Sequence, residues 1–150
     1  MRSYLVVMDD TAEAKVALRF AARRAARTGG KVELLALIAP QEFVPWGGVQ
    51  ATMEEDARLR AEAMVLEASG AIMEEAGIRP TITVSERDPV RAVTELLAER
   101  SDLDALVLAA AEGGPGPLIS HFAGSVAATL PCVVIIVPGS LDAEGLERLG

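Results

Sequence analysis

Two short segments of this chain carry residue types suited to holding a phosphorylated ligand. Asp9-Asp10-Thr11 follows the apolar run Tyr4 to Met8. Ala110-Ala111-Glu112-Gly113-Gly114 follows Leu106 to Ala109, and Gly124-Ser125-Val126 comes after a nine-residue gap from Gly114. An aspartate at a strand end accepts hydrogen bonds from ribose hydroxyls or from a base amine. A glycine-rich turn leaving a strand, with Gly-Ser opening the next helix, offers backbone N–H groups and a hydroxyl to phosphate.

Other chemistries lack their parts. His121 is the only histidine, which removes a multi-histidine metal site and leaves Ser125 a single candidate base four residues before it. Ser125 as a helix cap or phosphate contact is the simpler reading, so neither a catalytic residue nor a metal site is expected. The single cysteine, Cys132, lies inside an apolar run and reads as a buried, inert thiol. The Asp9-Asp10 pair is similar to the magnesium-holding acids of phospho-acceptor receiver domains. Such domains also need a lysine after the fifth strand, where this chain has Pro138-Gly139. Asp10 is therefore read as a helix-start acid.

Charge narrows the partners. The formal net charge is −8 with no basic run, which disfavours nucleic acid and anionic membranes. Apolar residues are 51% of the 150 and aromatics 3%, which specifies one globular domain with an aliphatic core. No segment approaches the roughly 20 apolar residues of a membrane span. The N-terminal apolar run ends at Asp9, short of a signal peptide. A cytoplasmic protein is expected.

Strand-like and helix-like segments alternate along the chain. Apolar runs at Tyr4–Met8, Val32–Ile38, Ala105–Ala109 and Cys132–Val137, with the weakly alternating Thr81–Ser85, predict five strands. Thr11 caps a helix whose apolar face includes Ala14, Ala17, Leu18 and Ala21, and Gly29-Gly30 stops it. Gln41 to Gln50, with Trp46, reads as a loop whose aromatic packs down onto a neighbouring surface. A capping box of Thr52 and Glu55 opens a long helix that is expected to bury Leu59, Ala63, Leu66, Gly70 and Met73. Gly70 inside it costs about 1 kcal/mol relative to alanine, and so marks a close approach to another backbone. Asp88-Pro89 starts a further helix, Leu118 to Leu130 another, and residues 140–150 read as a frayed tail with one helical turn. This order specifies an α/β fold: an open five-stranded, mainly parallel sheet with helices on both faces. Ligands bind such sheets beyond the carboxyl ends of the strands, where strand order reverses. Asp9, Asp10, Thr11, Leu37, Ile38 and the Ala110–Pro117 turn fall there.

At these landmarks the chain resembles the universal stress protein family, over about Ser3 to Gly139. The resemblance rests on Leu5-Val6-Val7-Met8-Asp9-Asp10-Thr11, on Leu34 to Ile38, on Asp88-Pro89 and on Gly114…Gly124-Ser125-Val126, all in register. It implies a Rossmann-like, adenine-nucleotide alpha-hydrolase-like domain over 1–139, with 140–150 as a tail. It also implies a homodimer joined through the last strand, Cys132 to Val137. One branch of the family binds ATP through a pattern of Gly, two residues, Gly, nine residues, then Gly with Ser or Thr. Gly114, Gly124 and Ser125 match that pattern. Asp9 then corresponds to the aspartate that contacts adenosine, and Leu37 to the position whose backbone reads the adenine edge. The implied nucleotide site is Met8, Asp9, Thr11, Leu37, Ala110, Ala111, Gly114, Gly124, Ser125 and Val126, for ATP or AMP, with Mg2+ accompanying ATP. The implied role is regulatory or protective in a stress response, with a regulatory protein partner and at most slow ATP hydrolysis.

Three residues depart from the family pattern. Ala111 stands at its first glycine, where a methyl group is costly if the backbone takes a positive φ. Pro115 stands where the family often places a basic residue, and Glu112 sets a negative charge beside the phosphate path. Two readings follow. One is an adenine-nucleotide cleft between the first and fourth strands; the other is a nucleotide-independent dimeric interaction module with a degraded phosphate loop.

Overall fold

The computed structural model describes residues 2–38 and 47–150. Five strands form one sheet: β1 (Ser3–Met8), β2 (Lys31–Leu37), β3 (Thr81–Ser85), β4 (Ala105–Ala110) and β5 (Val133–Pro138). Their order is β3-β2-β1-β4-β5, with every neighbouring pair parallel. The helices are α1 (Ala12–Thr28), α2 (Gly47–Ala76), α3 (Pro89–Glu99), α4 (Gly116–Ser120) and α5 (Ala143–Leu149). The chain runs outward from β1 through β2 to β3, then returns to β4 and moves the other way. Strand order therefore reverses between β1 and β4, so the loops after these strands diverge and leave a crevice.

Alternation along the strands divides the core into two layers. Val6, Met8, Leu34, Ala36 and Val107 pack against α1, α2 and α5 on one face. Leu5, Val7, Leu35, Leu106 and Leu108 pack against α3 and Phe122 on the other. Every residue of β1 is buried, as a central strand covered on both sides requires. Local signals set the helix ends. Thr11 Oγ1 accepts from the Ala14 N–H and Gly29, at φ 67°, closes α1. Asp88 accepts from the Arg91 N–H at 3.2 Å, ahead of Pro89 at the first helical position.

Four sequence expectations change. Helix α2 begins at Gly47, ahead of the Thr52 capping box, so Gly47 to Gln50 are helical; Trp46 lies outside the described residues. The buried stripe of α2 is Ala57, Ala61, Val65, Ala68 and Ile72, whereas Leu59, Leu66 and Met73 are 55%, 73% and 45% exposed. The helix carries two apolar stripes, and its contact with α1 selects between them. Arg19 and Arg23 of α1 hold Glu75 through hydrogen bonds of 2.8–2.9 Å, which turns the Ile72 side inward. The alanines of that stripe let α2 lie close to α1 and β2.

The expected frayed tail is instead an ordered helix. Asp142 caps α5, Leu146 is fully buried, and Arg24 and Arg27 donate to the carbonyls of Leu149 and Glu147 at 2.8 Å. Finally, the predicted Leu118–Leu130 helix is short and irregular. It opens at Gly116, passes through a π-helical turn at His121–Ser125 and ends in a 3-10 turn at Ala127–Thr129. Among the described residues, no helix is long and apolar enough to cross a membrane.

Candidate functional site

The crevice at the strand reversal consists of two adjoining cavities, about 600 Å³ and about 260 Å³, that share Asp9, Leu37 and Pro89. Asp9 sits immediately beyond β1, and Thr11 fixes it. Thr11 Oγ1 donates to Asp9 Oδ1 at 2.5 Å while accepting from the Ala14 N–H, and the Thr11 N–H donates to the Asp9 carbonyl at 2.9 Å. One hydroxyl thus ties the carboxylate to the first turn of α1 and leaves Oδ2 for a ligand. Leu37, half-buried at the end of β2, forms the wall between the cavities.

The smaller cavity lies against the glycine turn and includes Glu13, Ala111, Gly114, Gly116 and Leu118 in its lining. Positive φ in this turn falls on Gly114, at 147°, and Gly116, at 73°; among the described residues only glycines have a positive φ. Ala111 therefore sits in ordinary backbone, paired in an isolated bridge with Gly114, and its methyl group carries no conformational penalty. The larger cavity has an apolar floor of Ile38, Ala57, Ala61 and Met64, with Lys15, Arg60 and Arg87 at its margins. Arg87 is held by both carboxylate oxygens of Glu95 at 2.7 Å.

Charge separates the two halves. Among the described residues, Asp9 and Glu13 are the charged ones lining the smaller cavity, and none of its lining is a cation. The larger one sets Lys15, Arg60 and Arg87 against Asp9, Asp10 and Glu67. An anion in the smaller half would therefore meet backbone and the Thr11 hydroxyl, with no described lysine or arginine beside it.

The structure gathers Asp9, Thr11, Leu37, Ala111 and Gly114 around the crevice. Met8 is buried at the end of β1, and Ala110 is half-buried at the end of β4 with its carbonyl accepting from the Gly139 N–H at 2.8 Å. Gly124, Ser125 and Val126 line neither cavity. The Gly-Ser step does not open a helix: Gly116-Pro117 does that, and Gly124-Ser125 closes the π-helical turn, with Ser125 exposed and Val126 packed into the α3-side core. His121 stacks edge-on to Phe122, with ring centroids 4.9 Å apart. Among the described residues no cluster of three metal-ligating side chains exists. Burial pushes the Cys132 thiol up, consistent with an inert role.

Sequence reasoning overlooked Glu13, Pro89 and Gly139. A Cβ on Gly139 would stand 2.5 Å from Glu13 Cβ and 2.7 Å from the Ala110 carbonyl oxygen, so only glycine lets β5 close against the crevice. The contact between Gly139 and Glu13 joins residues far apart in the chain, which no local pattern signals.

The model of the universal stress protein family matches residues 1–138. The chain belongs to the universal stress protein family. Solved structures share the fold at low identity. Universal stress protein UspA from Lactobacillus plantarum is 15% identical, with a TM-score of 0.72 covering 91% of this chain and 97% of that one. A universal stress protein in complex with cAMP is 22% identical, with a TM-score of 0.60 over 93% of this chain and 98% of that one. A family protein from Arabidopsis thaliana with AMP bound is 15% identical, with a TM-score of 0.61 over 96% and 94%. No functionally curated protein matches the chain. Helix α5 lies beyond the residues matched by the family model.

Proposed function

We propose that this universal stress protein binds an adenine mononucleotide in the crevice and serves a regulatory or protective role in the cytoplasm. One observation carries this reading: Asp9, fixed by Thr11, stands at the junction of an apolar cavity and a glycine-lined one. The base would occupy the larger half, against Leu37, Ile38 and Met64. The ribose would hydrogen-bond to Asp9. A single phosphate would meet the backbone of the Ala111–Gly116 turn. Two further phosphates would enter a half with no cation and with Glu13 nearby, so AMP should bind better than ATP with Mg2+. Solved relatives carry cAMP and AMP, which supports a monophosphate ligand. ATP hydrolysis would be slow at most, since the described residues lining the turn's cavity include carboxylates but no histidine or lysine to pair with them.

Calorimetric titration of AMP, and of ATP with Mg2+, into the wild type and Asp9→Ala tests this. AMP should bind, and Asp9→Ala should weaken it by roughly 10- to 100-fold through loss of charge-assisted hydrogen bonds. Wild-type binding unaffected by Asp9→Ala would overturn the site. Silence for both ligands would favour the second reading, a nucleotide-independent interaction module, for which the uncompensated glycine turn is the motivating observation. In either case we propose a homodimer through β5, an edge strand whose Val133 and Ile136 are 63% and 43% exposed.

A further inference from the structure

The stripe of α2 that faces away from the domain has the spacing of a helix-pairing seam. Leu59, Ala63, Leu66, Gly70 and Met73 recur at steps of four, three, four and three residues, the heptad pattern of helices that pack side by side. All five are exposed, Leu66 at 73%. The opposite stripe already packs on α1 and β2, and nothing among the described residues covers this one. Gly70 sharpens the point. Among the described residues no atom lies within 4 Å of where its Cβ would stand, so none of them explains a glycine in mid-helix. A small residue there admits a helix from outside.

We propose that α2 pairs antiparallel with α2 of a second copy of this chain, across a two-fold axis between Met64 and Val65. Leu59 of one copy then packs over Gly70 of the other, and Leu66 over Ala63 of the other. With their symmetry mates these make four layers, each a large side chain on a small one. Arg60 flanks Leu59, and Glu67 flanks Leu66. In this register Arg60 of each copy faces Glu67 of the other, giving two ion pairs. Neither residue has an ion-pair partner among the described residues.

Charge excludes the neighbouring arrangements. Sliding by one heptad sets Glu67 against Glu67. Running the helices parallel sets Glu62 against Glu67 on both sides. The occupant is thus a second copy, because the seam is complementary to itself in size and in charge. The contact belongs to the sheet half opposite β5, so it is separate from the edge-strand dimer. Arg60, Ala63 and Glu67 also line the larger cavity, which places the contact on the rim of the crevice. Four layers make an interface smaller than a standard one, so association should be weak and concentration-dependent.

Sedimentation equilibrium on the full chain tests the pairing. The wild-type mass should rise with concentration, and Leu66→Arg should halve its limiting value, whether that step is tetramer to dimer or dimer to monomer. Gly70→Leu should have the same effect, although it adds apolar surface and a better helix former. Arg60→Glu and Glu67→Arg should each weaken association several-fold, and the double swap should restore it. These side chains are exposed, so the thermal midpoint should stay near that of the wild type and report on the fold separately. A limiting mass unchanged by Leu66→Arg would overturn the proposal. So would tighter association of Gly70→Leu, which would reveal unspecific adhesion of an apolar stripe. Because the readout is mass without added nucleotide, it stands or falls separately from the ligand reading.

Discussion

The two halves of the crevice meet at one aspartate but differ in how they would hold charge. The glycine-turn half is small, about 260 Å³, and its charged residues are Asp9 and Glu13. The other half, about 600 Å³, has an apolar floor with Lys15, Arg60 and Arg87 at its margins. A turn that exposes backbone N–H groups is enough for one phosphate, whose charge they partly offset. Each further phosphate adds negative charge that needs a cation. If the proposed nucleotide occupies the crevice, backbone shape alone would not set the ligand; the side chains around the turn would decide how many phosphates it tolerates.

The largest effect should come from the residue the halves share. Asp9→Ala should lower affinity for AMP and for adenosine alike, by roughly 10- to 100-fold in calorimetry. If only AMP is weakened, Asp9 acts through the phosphate half alone. Next is Gly139→Ala, whose Cβ would collide with the Ala110 carbonyl and Glu13. Overpacking of this kind costs about 1–3 kcal/mol, read as a lower denaturation midpoint. It should also weaken AMP several-fold while leaving adenosine unchanged, because it distorts only the smaller half.

A smaller effect should reverse the charge contrast. Glu13→Lys replaces the acid of the small half with a cation, and should improve ATP relative to AMP by about tenfold. An unchanged ratio would mean that the outer phosphates lie elsewhere.

The smallest effect concerns acid. Hydrogen bonds from Arg19, against partial burial, and then from Arg23 hold the Glu75 carboxyl below its ordinary value. A folded value below the unfolded one gives stability that is complete above the ordinary carboxylate range and is lost as pH falls through the lowered value. Helix α2 walls the larger half, so below that range its amides should exchange faster than those of β4. Equal protection at both pH values would show that the Glu75 contact is dispensable.

Much of the frame was legible because it depends on neighbours in sequence. Thr11 and Asp88 cap helices through contacts three residues ahead, Gly29 supplies a left-handed turn, and apolar runs alternating with amphipathic segments specify a parallel sheet. The placement of Asp9 beside Leu37 and the glycine turn followed from that order and the rule for strand reversal. The glycine turn was less legible. Ala111 stood where a glycine was expected, yet the positive φ values fall on Gly114 and Gly116, and Gly116-Pro117 starts the helix assigned to Gly124-Ser125.

Sequence periodicity determined that α2 is a helix, but the helix carries two apolar stripes and periodicity does not rank them. Tertiary structure decided for the alanine stripe, because Arg19 and Arg23 reach Glu75 only when that side turns inward. It decided likewise for residues 140–150, where Leu146 fills the core and two arginines of α1 satisfy the carbonyls at the helix end. Local order is set by propensity and capping over a few residues. The choice of buried face, and the docking of a short terminal helix, are set by partners more than fifty residues away, which no local pattern records.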